Sequence, residues 1–317
     1  MIDQKEKVML GGFSQTIHII GRDPGNPVIL VLHGGPGISN RDSVVNGYKS
    51  LQQFFTLVAW DQRGTAGSYH GIDPATLTLD QMVEDAHELV LYLCKKLGKN
   101  KIVILGGSWG TELGTYLCKR HPEHIGAYIG FGQVVNGVKN EDLSYAFAME
   151  QAVKAGDEKS IRILKKAGPP VDGQYTPCLK GMLAQRRIMK KYGGHSTRKG
   201  GYWKNTVKPL LLSKEFTLAD KWGLIRGYKL VLNTMWPHIT QYDFTTQCNS
   251  FECPYYIFQG ALDRNTPAAL VQQFYDVIKA PDKALVWFEH SAHGPISEEP
   301  GKFESELRSR LSKLDLR

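Results

Sequence analysis

Nothing in the 317 residues approaches the roughly 18 to 20 consecutive apolar residues that a bilayer-spanning helix needs, so a membrane span is not expected. The opening residues, Met1 to Lys7, are mostly polar and charged, where a secretory signal would carry an apolar run and a small-residue cleavage site. Cysteine is sparse and odd in number, five in all, and Cys248 and Cys253 stand without a second pair or a histidine cluster beside them. That spacing offers no metal-ligand set, and free thiols suit a reducing compartment. The expectation is a soluble, cytoplasmic protein without metal or cofactor. Internal repeats and low-complexity runs are missing too, and 42% hydrophobic with 22% charged residues excludes disordered and fibrous classes.

Positive charge is in excess, with Lys+Arg 39 against Asp+Glu 31, and it is concentrated. Nineteen basic and nine acidic residues fall between Gly137 and Cys248, so the remainder of the chain is slightly acidic. The basic stretch has no zinc-finger, RNP or long basic-helix signature, and Lys/Arg pairs on helix faces are ordinarily solvated surface. No nucleic-acid partner is expected.

The first and last thirds alternate short apolar runs with helix-period stretches. The runs at 28–33, 55–60, 101–105, 127–131, 255–259 and 285–288 are each closed by Gly, Pro or Asp, as strands buried on both faces of a parallel sheet are. Helical periodicity covers 79–97, 111–120, 268–278 and 302–314. Strand then helix, repeated, predicts an α/β protein with a mostly parallel sheet flanked by helices. The middle is helical, basic and rich in Met, Trp and Tyr. It predicts an insertion at 137–248 covering one end of a sheet domain built from 1–136 and 249–317.

The chemistry concentrates where a buried strand runs into Gly106-Gly-Ser-Trp-Gly110 and an apolar helix follows. Strand, Gly-x-Ser-x-Gly, helix is the order a nucleophile elbow needs, because the glycines at 106 and 110 let strand and helix backbones approach while the turn presents the hydroxyl. Ser108 is therefore the expected nucleophile. The competing reading, a capping serine in a dinucleotide turn, lacks its Gly-x-Gly-x-x-Gly spacing. A serine nucleophile needs a base and oxyanion donors. The glycine loop His33-Gly-Gly-Pro-Gly37 can aim the Gly35 N–H at the top of the sheet, and the Trp109 N–H follows the nucleophile directly. An elbow of this kind takes its partners in the order Ser, Asp or Glu, His, each from a loop after a strand. Asp263 and His293 sit in such loops; Asp276 and Asp282 lie in or after a helix, and His290 stands two residues past its strand. The other histidines, His195 among them, read as surface or structural groups.

Taken together, His33-Gly-Gly-Pro-Gly37, Asp61-Gln-Arg-Gly64-Thr-Ala-Gly67-Ser68, Gly106-Gly-Ser-Trp-Gly110, the Gly260-Ala-Leu-Asp263 loop and His293 resemble the proline iminopeptidases (prolyl aminopeptidases) of the alpha/beta-hydrolase superfamily. The resemblance spans both ends of the sheet domain in order and spacing. It implies an alpha/beta-hydrolase fold with a helical cap, Ser108, Asp263 and His293 as triad, and Gly35 with Trp109 as oxyanion hole. It also implies release of an N-terminal residue, preferably proline, through an acyl-enzyme, with acidic cap side chains holding the substrate's ammonium. Asp61 and Arg63 read as structural.

The departure lies in the cap, whose acids are few. Candidates for the ammonium are Glu141, Asp142, Glu150, Glu158 and Glu215, with Glu112 one turn beyond the nucleophile as a further one. Met182, Tyr202, Trp203, Met235 and Trp236 are candidates for lining a substrate pocket. A strongly basic cap favours neutral or anionic ligands. Hydrolysis of another amide, ester or lactone therefore stands as the alternative, and a non-catalytic ligand receptor on the same fold as the alternative of another class. The partner in every reading is a small molecule or short peptide.

Overall fold

The structure is a computed structural model describing residues 1–198 and 208–316. Eight strands form one sheet in the order β1-β2-β4-β3-β5-β6-β7-β8. They are β1 (Ile2–Leu10), β2 (Phe13–Gly21), β3 (Val28–Leu32), β4 (Thr56–Trp60), β5 (Ile102–Gly107), β6 (Ile125–Phe131), β7 (Tyr255–Gly260) and β8 (Lys283–Phe288). From β4 to β8 neighbours are parallel; β1 and β2 form an antiparallel hairpin that pairs β4 antiparallel.

The continuous apolar runs follow from a sheet covered on both faces. Val28, Leu30 and Leu32 of β3, with Ile102 and Ile104 of β5, join a core made with α1 (Leu79–Leu97), α2 (Trp109–Arg120) and α9 (Ala268–Val277). Ile29 and Val31, with Val103 and Leu105, join the opposite core against α11 (Pro300–Leu311). The α1 helix begins where the Thr78 hydroxyl caps the Gln81 N–H and stops at Gly98 in the left-handed region.

Between β6 and β7 the chain runs through α3 (Gly137–Lys154), α4 (Glu158–Ala167), α5 (Cys178–Lys191), α6 (Lys208–Leu212), α7 (Leu218–Met235) and α8 (Phe244–Gln247). Its two ends meet, with Gly137 N–H donating to Tyr242 O at 3.1 Å and Phe244 N–H to Val135 O at 2.8 Å. Helices α3, α4 and α5 have a small core of their own around Ala148, Ala152, Leu164 and Met189. The α7 helix lies on the loop after β4. Gly223 and Gly227 face the carbonyls of Ala66 and Gly64 so closely that a Cβ at either would collide with them. A short α10 (Pro295–Glu298) precedes α11.

Candidate active site

In this parallel part the strands end together. Leu32 pairs with Gly106, Gly107 with Phe131, Phe131 with Phe258, and Gly260 with Phe288. The chain therefore delivers the glycine loop, Ser108, Asp263 and His293 to the carboxyl edge of the sheet, where open α/β sheets build their crevices. Ser108 has φ 55 and ψ −123, a left-handed backbone that costs energy in a non-glycine residue and is what a strand-to-helix elbow imposes. Gly106 and Gly110 have the predicted reason: a Cβ at 106 would lie 2.5 Å from Gly110 O, and one at 110 would strike Leu32 O. The glycine loop passes over the serine, since a Cβ at Gly34 would sit 3.1 Å from Ser108 Cβ. His33 is buried and pushed down to about 4, which leaves it a neutral brace beside Gln62.

Asp263 is buried, and its carboxylate accepts from Asn265 N–H (2.8 Å), Thr266 N–H (3.0 Å), Thr266 Oγ1 (2.6 Å) and Gln259 Nε2 (3.2 Å). Its remaining partner is His293, with Nδ1 at 2.8 Å from Oδ2. A proton on Nδ1 serves that bond and leaves Nε2 an acceptor, and Asn265 Nδ2 donates to it at 3.1 Å. Gly132, φ 57, supports the ring from behind, and a Cβ there would meet His293 Cε1 at 2.7 Å. The rivals stand elsewhere: Asp276 accepts from Gln272, Asp282 from Tyr256, and exposed His290 donates its backbone N–H to Glu299.

Ser108, Trp109, Gly35 and His293 border a cavity of about 710 Å³. Of the expected substrate contacts, Glu112, Glu141 and Trp236 line it, as does Met182. Glu112 is buried, its Oε1 has no hydrogen-bond partner among the described residues, and burial pushes its carboxyl well above the usual range. Glu141 is buried, paired with Arg186 through Oε1, and has an unpartnered Oε2. Two expectations are corrected. Glu150 is exposed and bridges to Lys154 at 2.6 Å, so it follows the solvated helix surface instead of the cavity. Glu215 turns to His18 at 3.2 Å, away from the cavity lining. Asp142 and Glu158 are exposed, and Tyr202 and Trp203 lie outside the described residues.

His195 corrects the sequence reading too. Its ring lies 4.9 Å from that of His293, centroid to centroid, it lines the cavity, and its backbone carbonyl accepts from His293 N–H at 3.1 Å. Burial first, then His293, Lys190 and Arg186, hold it neutral. The signal was Gly193-Gly194 just before it: a Cβ at Gly194 would meet Phe147 at 2.7 Å and Arg264 at 2.9 Å. Asp61 and Arg63 are structural, as expected. Arg63 makes a bidentate pair with Asp85, and Asp61 holds Arg41, which reaches Asp220 at the start of α7.

The model of the alpha/beta hydrolase fold family matches residues 27–300, and the chain belongs to that family: it is a hydrolase. Among curated proteins it is 28% identical over 310 residues to a probable aminopeptidase, YbaC, of Bacillus subtilis (strain 168), covering 95% of this chain and 94% of the other. It is also 28% identical over 297 residues to a proline iminopeptidase of Heyndrickxia coagulans, covering 92% of each. Among solved structures, a proline iminopeptidase-related protein of Thermus thermophilus superposes with a TM-score of 0.69 at 18% identity, over 99% of both chains. VinJ does so with 0.71 at 19% identity, over 98% of this chain and 99% of the other. No helix among the described residues is long and apolar enough to cross a membrane.

Proposed function

We propose that the protein is a serine aminopeptidase that removes the first residue, proline by preference, from short peptides. The observation that carries this reading is Glu112, a buried carboxyl with an unpartnered oxygen on the wall of the cavity that Ser108 opens into. Burying an acid without a cation is unfavourable, and a substrate ammonium supplies the missing partner and lets the carboxyl ionise. Glu141, with its own unpartnered Oε2, extends the acceptor wall. Names of relatives, a probable aminopeptidase and proline iminopeptidases, agree with it.

In this mechanism His293 Nε2 takes the proton from Ser108 Oγ as it attacks the carbonyl of the first residue. The Asn265 amide yields its bond to Nε2 at that step, and Asp263 holds the Nδ1–H tautomer and stabilises the imidazolium. The N–H groups of Gly35 and Trp109 receive the oxyanion. His293 then protonates the leaving amine, and water hydrolyses the acyl-enzyme by the reverse relay.

The test compares a prolyl arylamide with its N-acetyl derivative, and labels the protein with a fluorophosphonate. The free amine is expected to be cleaved at least about 10²-fold faster, since an acetylated nitrogen leaves the acid unpaired. Label is expected on Ser108 alone, with turnover reduced about 10³-fold or more in Ser108→Ala. Equal or faster cleavage of the blocked compound overturns the aminopeptidase in favour of a general amide, ester or lactone hydrolase. Activity surviving Ser108→Ala overturns the nucleophile.

A further inference from the structure

Just after α5, residues 194–197 are tied to both of the loops that carry Asp263 and His293. Gly194 O accepts from Arg264 N–H at 2.8 Å, and His195 O accepts from His293 N–H at 3.1 Å. Glu298, the last residue of α10, joins the same segment to the His293 loop: one carboxylate oxygen accepts from Ser196 Oγ (2.6 Å) and Thr197 N–H (3.0 Å), the other from Ala292 N–H (2.6 Å). A single stretch of the chain between β6 and β7 is thereby bonded, directly or through Glu298, to Arg264, Ala292 and His293. The His195 side chain adds a ring contact, 4.9 Å from the His293 ring between centroids with the planes 32° apart. Asp263 and Asn265 fix the edge of the His293 imidazole, while Gly132 and the His195 ring limit how it can swing.

We propose that His195 is a positioning residue for the reaction, its ring holding His293 in register and lying against the positive charge that forms there, and that residues 194–197 strap the Asp263 and His293 loops together. This rests on the serine mechanism given above and adds to it a group from outside the sheet. When Ser108 Oγ gives its proton to Nε2, His293 becomes an imidazolium, and an aromatic face within about 6 Å attracts such a cation. The ionisable groups facing His195 are His293, Lys190 and Arg186, and burial is the larger reason that its own pKa lies well below the usual value. An uncharged ring therefore stands beside the forming cation and adds no repulsion. The proton moves from Ser108 Oγ to Nε2 as the Oγ–C bond forms, and from Nε2 to the leaving amine as the C–N bond breaks. An imidazole free to turn would lose the alignment that both transfers need. The effect of His195 passes through His293.

The experiment measures kcat and KM for a prolyl arylamide, and the rate at which a small fluorophosphonate labels Ser108, in the wild type, His195→Ala, His195→Gln, His195→Phe and Glu298→Ala. His195→Ala and His195→Gln are expected to lower kcat and the labelling rate about 10-fold, with KM within about twofold of the wild type. His195→Phe restores an aromatic face and is expected to bring both rates back to within about threefold. Glu298→Ala loosens the strap while keeping the His195 ring, and is expected to lower kcat with KM little changed. Rates unchanged in His195→Ala overturn the proposal. So does a raised KM with kcat unchanged, which would make His195 a substrate contact. Recovery by Gln and not by Phe would make a hydrogen bond the working contact, and overturns it as well. Labelling of the wild type without arylamide turnover overturns the aminopeptidase, and the labelling rates then decide the role of His195. A wild type that is not labelled overturns the serine mechanism and this proposal with it. The comparison of Gln with Phe decides even where the alanine variants fold poorly.

Discussion

Glu112 links function to stability through one proton. Its carboxyl is raised well above the ordinary 4.5 by burial, so between the unfolded and the folded value the native protein holds a proton that the unfolded chain has released. Stability then falls as pH rises from the unfolded value toward the folded one, because the native state binds more protons there. Glu112→Gln keeps the shape and removes the titration. The variant is expected to melt roughly 2 °C or more above the wild type at pH 7, with the gap closing near pH 4, while discrimination against N-acetyl substrates collapses. Parallel melting curves at the two pH values, or a variant less stable at pH 7, would contradict it. At this scale the sequence was most informative where a local motif dictates the role. Ser108 is bound to its elbow by neighbours in the chain, and Asp263 and His293 follow strands. Asn265 was missed because nothing local marks it, and His195 because the Gly193-Gly194 pair before it does not tell which loop the ring will meet. They matter through a ring and an amide brought against His293 by the packing of separate loops.

Elements are set by the pattern of burial, and the helix that shapes the cavity roof depends on a contact without side chains. The α7 helix contributes Tyr228 and Leu232 to the cavity wall and is seated by Gly223 and Gly227 against the Ala66 and Gly64 carbonyls. Gly227→Ala places a methyl group into backbone that cannot retreat, so a loss of about 1–3 kcal/mol is expected, together with reduced kcat/KM. Gly301→Ala is the matched control: it lies in α11, exposed, with no heavy atom near a new Cβ. There alanine is expected to be neutral or to stabilise by up to about 1 kcal/mol. Thermal melts of the pair check this, and opposite signs are the expectation. The sheet strands β3 to β7 were legible because burial on both faces makes unbroken apolar runs, and the edge strand β8, which alternates half-buried and buried residues, through its short apolar run at 285–288. The hairpin β1–β2 was not. β1 is an edge strand with mostly exposed Asp3 to Lys7, charges that suit an edge, and β2 buries Gln15, Thr16 and His18. Their partners, such as Asp85 and Trp60 for Gln15, are distant in sequence, so no unbroken apolar run marks the strand.

The whole molecule carries +8, with the excess on the segment between β6 and β7, and its response to salt follows from where the ion pairs lie. The pairs Arg41–Asp61, Arg63–Asp85 and Arg186–Glu141 are buried, and screening by ions reaches them weakly. Exposed pairs such as Lys154–Glu150 and Arg120–Asp80 lose strength in salt, but such pairs contribute little to begin with. Against them stands repulsion among nineteen basic side chains in 137–248, opposed there by nine acids. Such long-range repulsion is what a Debye length of about 10 Å at 0.1 M, shrinking to about 3 Å at 1 M, removes. The melting temperature is therefore expected to rise between low salt and about 0.5 M sodium chloride at pH 7. A concerted shift of the whole transition is expected, because α7 is tied to the sheet domain by Arg41 through Asp220 and by its two glycines. A melting temperature that falls with salt would mean that the surface pairs outweigh the repulsion. A transition that splits in two would mean that the segment unfolds apart from the sheet.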